Sequence, residues 1–155
     1  MMTADGVNAA VYRLLAALWL GSMVGIGDIA APVLFAQLND RVLAGNLAGA
    51  LFTVESWVGI VCGGGLLVCL FLRHGMAVMR GWPFRLVCAM LVIVCAGHFG
   101  IQPWLAQLKQ QALPLPVMDS PLRGQFALWH GVSSGLYLLQ TVLGAVLVML
   151  PGRVR

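Results

Sequence analysis

The stretch Leu18–Phe35, LWLGSMVGIGDIAAPVLF, decides the fold. It supplies most of the roughly 20 apolar residues that a helix needs to cross a bilayer. Inside it stands one ionisable residue, Asp28. A carboxylate at membrane depth is tolerated where it faces protein or water, so its partners must come from other parts of the chain. Pro32 lacks the N–H that would bond the Asp28 carbonyl in a regular helix, and a kink is expected there. Gly21 and Gly25 form a Gly-x-x-x-Gly face suited to the close approach of a second helix.

Working outward, the same character fills the whole chain. Of its 155 residues 61% are hydrophobic and 9% charged, which lies outside the range of soluble domains and makes lipid the main solvent. Hydropathy predicts an all-α integral membrane four-helix bundle with antiparallel neighbours. It forms a single membrane domain over 1–155, with helices at about 11–38, 47–72, 84–104 and 125–150. Met1–Ala10 reads as a short polar tail, and Pro151 as the stop of the last helix. The first apolar run lacks the charged start of a secretory signal and is interrupted by Asp28, so it reads as a retained span.

The net charge of +4 does not point to nucleic acid, because the basic residues sit at the ends of apolar runs and form no patch. Arg13, Arg73, Arg80, Arg85, Arg153 and Arg155 fall on one side of the bundle, against Arg41, Lys109 and Arg123 on the other. Both termini are therefore expected on the cytoplasmic side. Trp57, Trp104 and Trp129 then mark the outer interface and Trp82 the inner one.

Helix rise places the polar groups in depth. Asp28 lies about 22 Å in from Arg13, His98 about 20 Å from Arg85, Glu55 about 27 Å from Arg73 and His130 about 10 Å from Arg123. Each helix thus contributes one ionisable group to the outer half. Asp28, Glu55, His98 and His130 are expected to converge there, with Gln102, Ser133 and Ser134 completing the hydrogen bonds of this polar cluster. Depth pairs Asp28 with His98 and Glu55 with His130. Two histidines and two carboxylates can bind a divalent metal, pass protons or neutralise an entering cation, and they can equally form a satisfied network that fixes helix register.

Cys62 and Cys69 share one helix face, as do Cys88 and Cys95, and an antiparallel hairpin sets Cys62 opposite Cys95 and Cys69 opposite Cys88. Such thiol pairs suit a soft metal ion, although buried cysteine also packs as a small apolar residue, which is the favoured reading. The Gly63–Gly65 triplet lacks the Lys and Ser/Thr of a phosphate loop and reads as a packing notch.

The segments ALWLGSMVGIGDIAAPVLFAQLNDRVLAGNLAGALF, HFGIQPWLAQL and FALWHGVSSGLYL carry a resemblance over nearly the whole chain. They resemble a small bacterial four-helix membrane family of unknown function, of the DUF4149 type. That family is related to the eukaryotic transmembrane proteins implicated in platinum-drug resistance. The resemblance implies a multi-pass protein of the bacterial inner membrane, and no mechanism. It gives weight to His130, whose F-x-x-x-H-x-x-S-S setting matches the family pattern. Asp28 departs from that pattern, which has an aromatic or apolar residue after Gly27.

Three functions remain. The first is handling of an ion, proton or small solute through the outer-half cluster, with a homo-oligomer built on the Gly faces 21/25, 45/49, 59/63 and 131/135. The second is a non-catalytic structural or partner-binding membrane component. The third is a haem-binding redox protein with His98 and His130 as axial ligands. No hydrolase, zincin, nucleotide or disulfide-oxidoreductase motif is present, so catalysis is not the favoured reading and the cofactor is open.

Overall fold

The computed structural model of the protein describes residues 4–149. Among these residues there is no strand, and four helices are long and apolar enough to cross a membrane: Gly6–Gln37, Arg41–Arg80, Trp82–Gln111 and Arg123–Met149. The chain is a multi-pass membrane protein. The first span packs against the second and the fourth, and the third packs against the same two, so the bundle closes as a ring of sequential antiparallel neighbours. Pro151, Arg153 and Arg155 lie outside the described residues, as do Leu150 and the first part of the N-terminal tail.

Local chemistry sets bounds that hydropathy alone does not. The first helix already begins at Ala4, within the stretch read as a polar tail. The second begins at Arg41, upstream of the expected start, because the Asp40 carboxylate accepts from the Val42 and Leu43 amides at 2.8 and 3.0 Å. A side-chain acceptor there satisfies donors that a helix N-terminus otherwise leaves free. Its α-helical part ends at His74, where Gly75 takes φ +56°, a left-handed conformation open to glycine at no steric penalty. A 3₁₀ turn over Gly75–Arg80 leads to Gly81, and Trp82 and Pro83 open the third helix. Pro there sacrifices no helical hydrogen bond. The third helix continues through Pro103 to Gln111.

The core is built from Trp19 and Met23 of the first span, Cys62 and Leu66 of the second, Val87, Met90 and Val94 of the third and Leu147 of the fourth. Lipid tails are as apolar as these side chains, so helix association rests on close packing. Glycines make that packing possible. A Cβ at Gly59 would stand 2.7 Å from Trp19 Nε1, one at Gly63 would stand 2.6 Å from Leu91, and one at Gly144 would stand 2.8 Å from Met23. Trp19 thereby lies across the Gly59–Gly63 notch at 1% exposure.

The Gly faces divide accordingly. The 59/63 face is consumed inside the chain, whereas a Cβ at Gly21, Gly25, Gly49, Gly131 or Gly135 would meet nothing within 4 Å. The Gly21/Gly25 face therefore does not seat a helix from among the described residues. Gly27 is the close contact of the first span instead.

Candidate functional site

Two segments of the bundle widen into π-helical turns, and both lie just before a proline. Val24–Ala30 and Ala96–Ile101 are π-helical, with the Ala31 amide bonding the Ile26 carbonyl and the Gln102 amide bonding the Gly97 carbonyl. The next residues, Pro32 and Pro103, have no N–H, and in a regular turn their rings collide with the carbonyl four residues back. A wider turn relieves that collision while the helix continues, and such turns recur at functional positions. Where a kink is expected before Pro32, the helix carries a widened turn. Asp28 sits in the first π-segment and His98 in the second.

The first π-segment is engaged by the fourth span. Tyr137 donates its hydroxyl hydrogen to the Met23 carbonyl at 2.8 Å, and the Gly27 amide faces the Tyr137 hydroxyl oxygen. A side chain inserted into the backbone ladder holds open the turn that the proline widens. The ring lies so close that a Cβ at Gly27 would overlap it, and it meets Phe52 edge-on at a centroid distance of 5.1 Å. Tyr137 stands within electrostatic reach of both Glu55 and Asp28. Glu55 is 3% exposed, and its Oε1 is buried without a hydrogen-bond partner. Asp28 is exposed on the bundle surface.

Tyr137 was not singled out from the sequence. A phenol in the GLYLL run reads as one more amphipathic residue, and only the approach of Gly27 reveals what it does. Met23, through its carbonyl, and Phe52 join the node for the same reason.

The histidines lie apart from this node in their contacts. His98 is half-buried between aromatic rings, 5.3 Å from Trp57 and 4.7 Å from Phe99 by centroid, and its Nδ1 is buried without a partner. One turn on, Gln102 receives a 3.5 Å hydrogen bond from Thr53. Thr53 and Trp57 share a face of the second helix, so they form one seam with His98 and Gln102. His130 is exposed and stacks on Phe126 at 5.9 Å and 4°, which brings together the Phe and His of the F-x-x-x-H motif. Ser134 donates to the His130 carbonyl at 2.9 Å and Ser133 is half-buried. That serine bond stays within its own helix and leaves the imidazole free of it.

Among the described residues no group of three or more His, Cys, Asp and Glu side chains is placed to hold a metal. The four polar groups are distributed as one node around Tyr137 and two separate aromatic settings. The cysteines are free thiols: Cys62 and Cys69 are buried, and Cys88 and Cys95 are half-buried. Cys62 and Cys95 belong to the apolar core, and Cys69 lies beside Tyr12.

No curated protein and no solved structure matches the chain. A family model, described as a domain of unknown function, DUF4149, matches residues 14–114. That region holds Asp28, Glu55 and His98, and the fourth span with Tyr137 and His130 follows it. With most of its length covered by that match, the chain belongs to the DUF4149 family.

Proposed function

We propose that this protein handles a proton, an ion or a small solute at the node formed by Glu55, Tyr137 and Asp28. It would do so as a multi-pass protein of a bacterial inner membrane with both termini cytoplasmic. The observation that carries this reading is Glu55, a carboxylate inside a membrane span at 3% exposure with one oxygen unpartnered. Burying a carboxyl oxygen without a hydrogen bond costs several kcal/mol in an apolar medium, on the order of 2–7. A group retained against that penalty is by default a functional candidate. Asp28, exposed on the same span as the π-segment, supplies a second carboxylate on the route from the surface to Tyr137. The outward Gly21/Gly25 and Gly131/Gly135 faces are surfaces on which copies of the chain would associate.

Flux across proteoliposomes tests the reading. Wild-type protein is expected to move protons or a monovalent cation faster than Glu55→Gln and Asp28→Asn, by about tenfold for Glu55→Gln if the carboxylate is the acceptor. Equal flux in all three proteins would sink it.

A structural reading is favoured by a different observation. The Tyr137 hydroxyl joins the first and fourth spans through the Met23 carbonyl, which fixes their register without any ligand. On that reading Glu55→Leu yields a folded protein at least as stable as wild type, because removing a buried ionisable group in favour of an apolar one is often stabilising. The haem reading rests on the free Nδ1 of His98 alone, and a spectrum without a Soret band after expression with ample haem would remove it.

A further inference from the structure

We propose that the basic end of the bundle holds an anionic phospholipid, with its phosphate in a cavity between the first, second and fourth spans and one acyl chain in the adjoining groove. The cavity measures about 240 Å³; Asn8, Tyr12, Arg13, Cys69, Arg73 and His74 are among its lining, and the fourth span closes it with the apolar Leu147 and Val148. Two of its polar side chains are guanidinium cations, and the Asn8 amide, the His74 imidazole and the Tyr12 hydroxyl can each donate. The Tyr12 hydroxyl oxygen is buried and has no hydrogen-bond partner.

No counter-charge meets these cations among the described residues. The chain has five acidic residues. Asp40 caps the far end of the second helix from Arg73, and Asp119 lies in the connection on that same far side. Glu55 is interior and Asp28 belongs to the π-segment. Asp5 lies outside the described side chains. Two guanidinium groups, an imidazole and a hydroxyl turned on one space are the donor set that recognises a phosphate, because charge-assisted bonds from Arg to phosphate oxygens are the strong ones.

The second half of the argument is the groove. A larger concavity of about 770 Å³ shares Asn8, Cys69 and Arg73 with the polar cavity. Its remaining walls are Val7, Val11, Leu15, Val68 and Leu72, with Gly65 in the floor. A free phosphate has no use for an apolar annex. A molecule with an anionic head and a hydrocarbon tail fills both, and basic pockets between transmembrane helices bind such head groups.

Retention of lipid by the full chain, delipidated in detergent and examined by native mass spectrometry, tests the proposal. The probes are phosphatidylglycerol, phosphatidylcholine with the same chains, glycerol phosphate and inorganic phosphate. Wild type is expected to retain phosphatidylglycerol about tenfold better than phosphatidylcholine, whose phosphate charge is offset by a choline cation that the two arginines repel. Arg13→Gln with Arg73→Gln should abolish that preference, and Tyr12→Phe, which deletes only a hydroxyl, should reduce it several-fold. Arg80→Gln with Arg85→Gln removes equal charge outside the cavity and should leave it intact. Val68→Trp should displace the lipid and leave glycerol phosphate binding unchanged. Equal retention of the two lipids overturns the proposal. Equal losses from the two arginine pairs also overturn it, since general surface charge then suffices. Inorganic phosphate that binds as well as phosphatidylglycerol and is indifferent to Val68→Trp replaces the lipid with a free anion.

Discussion

The first and third spans widen in the same way and are finished differently. Each carries a π-segment that ends two residues before a proline, and each segment holds one ionisable side chain, Asp28 or His98. In the first, Tyr137 of the fourth span plugs the opened backbone, bonding the Met23 carbonyl over a glycine with no room for a Cβ. In the third, the ionisable side chain is itself packed into rings, and a Cβ at Gly97 or Gly100 would meet nothing within 4 Å. Proline explains why both turns widen, and only the neighbouring helix explains what each turn is used for.

The matched glycines are the sharpest way to break this comparison. Gly27→Ala places a methyl group into the Tyr137 ring, so the ring must turn away and give up its bond to Met23. Overpacking of this kind costs about 1–3 kcal/mol, and the lost hydrogen bond adds to it. Gly97→Ala meets open space and gains helix propensity, for a change between zero and about 1 kcal/mol in the stabilising direction. Midpoints of unfolding in detergent should therefore move in opposite directions. A similar loss in both variants would mean that the π-turns themselves, and not Tyr137, set the sensitivity.

Tyr137→Phe isolates the plug from the packing. The ring and its edge contact with Phe52 remain, while the Met23 carbonyl loses its cross-helix donor. Interhelical hydrogen bonds in membranes average about 0.6 kcal/mol and reach about 1.7, so a loss near 1 kcal/mol is expected on the same unfolding assay. An unchanged midpoint would assign the Gly27 effect to sterics alone.

Much of this arrangement is legible in the sequence, and the boundary falls at a physical line. Hydropathy reads correctly as four spans, because the bilayer imposes a length that each apolar run must meet. Pro32 was visible as a disturbance, since a missing N–H is a local fact. Its outcome as a widened turn was not, because that depends on whether the helix can keep bonding past the proline. Rise along each helix leads to the expectation that Asp28, Glu55, His98 and His130 share the outer half, but it carries no azimuth, and rotation turns Glu55 inward and leaves Asp28 and His130 exposed. Gly-x-x-x-Gly spacing was equally silent about partners: 59/63 receives Trp19, and 21/25 receives nothing from the described residues.

The smallest expected effect concerns His98. Its imidazole makes ring contacts with Trp57 and Phe99 and buries an Nδ1 with no partner, so a phenyl ring at this position keeps the contacts and removes the unpartnered atom. Replacing an unsatisfied polar group by an apolar one of similar shape is nearly neutral or stabilising. His98→Phe should accordingly shift the unfolding midpoint by less than about 0.5 kcal/mol in free energy, or raise it slightly. His98→Ala deletes the ring and should lose about 2–3 kcal/mol through the cavity. A His98→Phe variant as unstable as His98→Ala would show that the imidazole nitrogen, and not the ring, is what the π-turn of the third span is built to hold. His98 would then replace Tyr137 as the polar centre of the bundle.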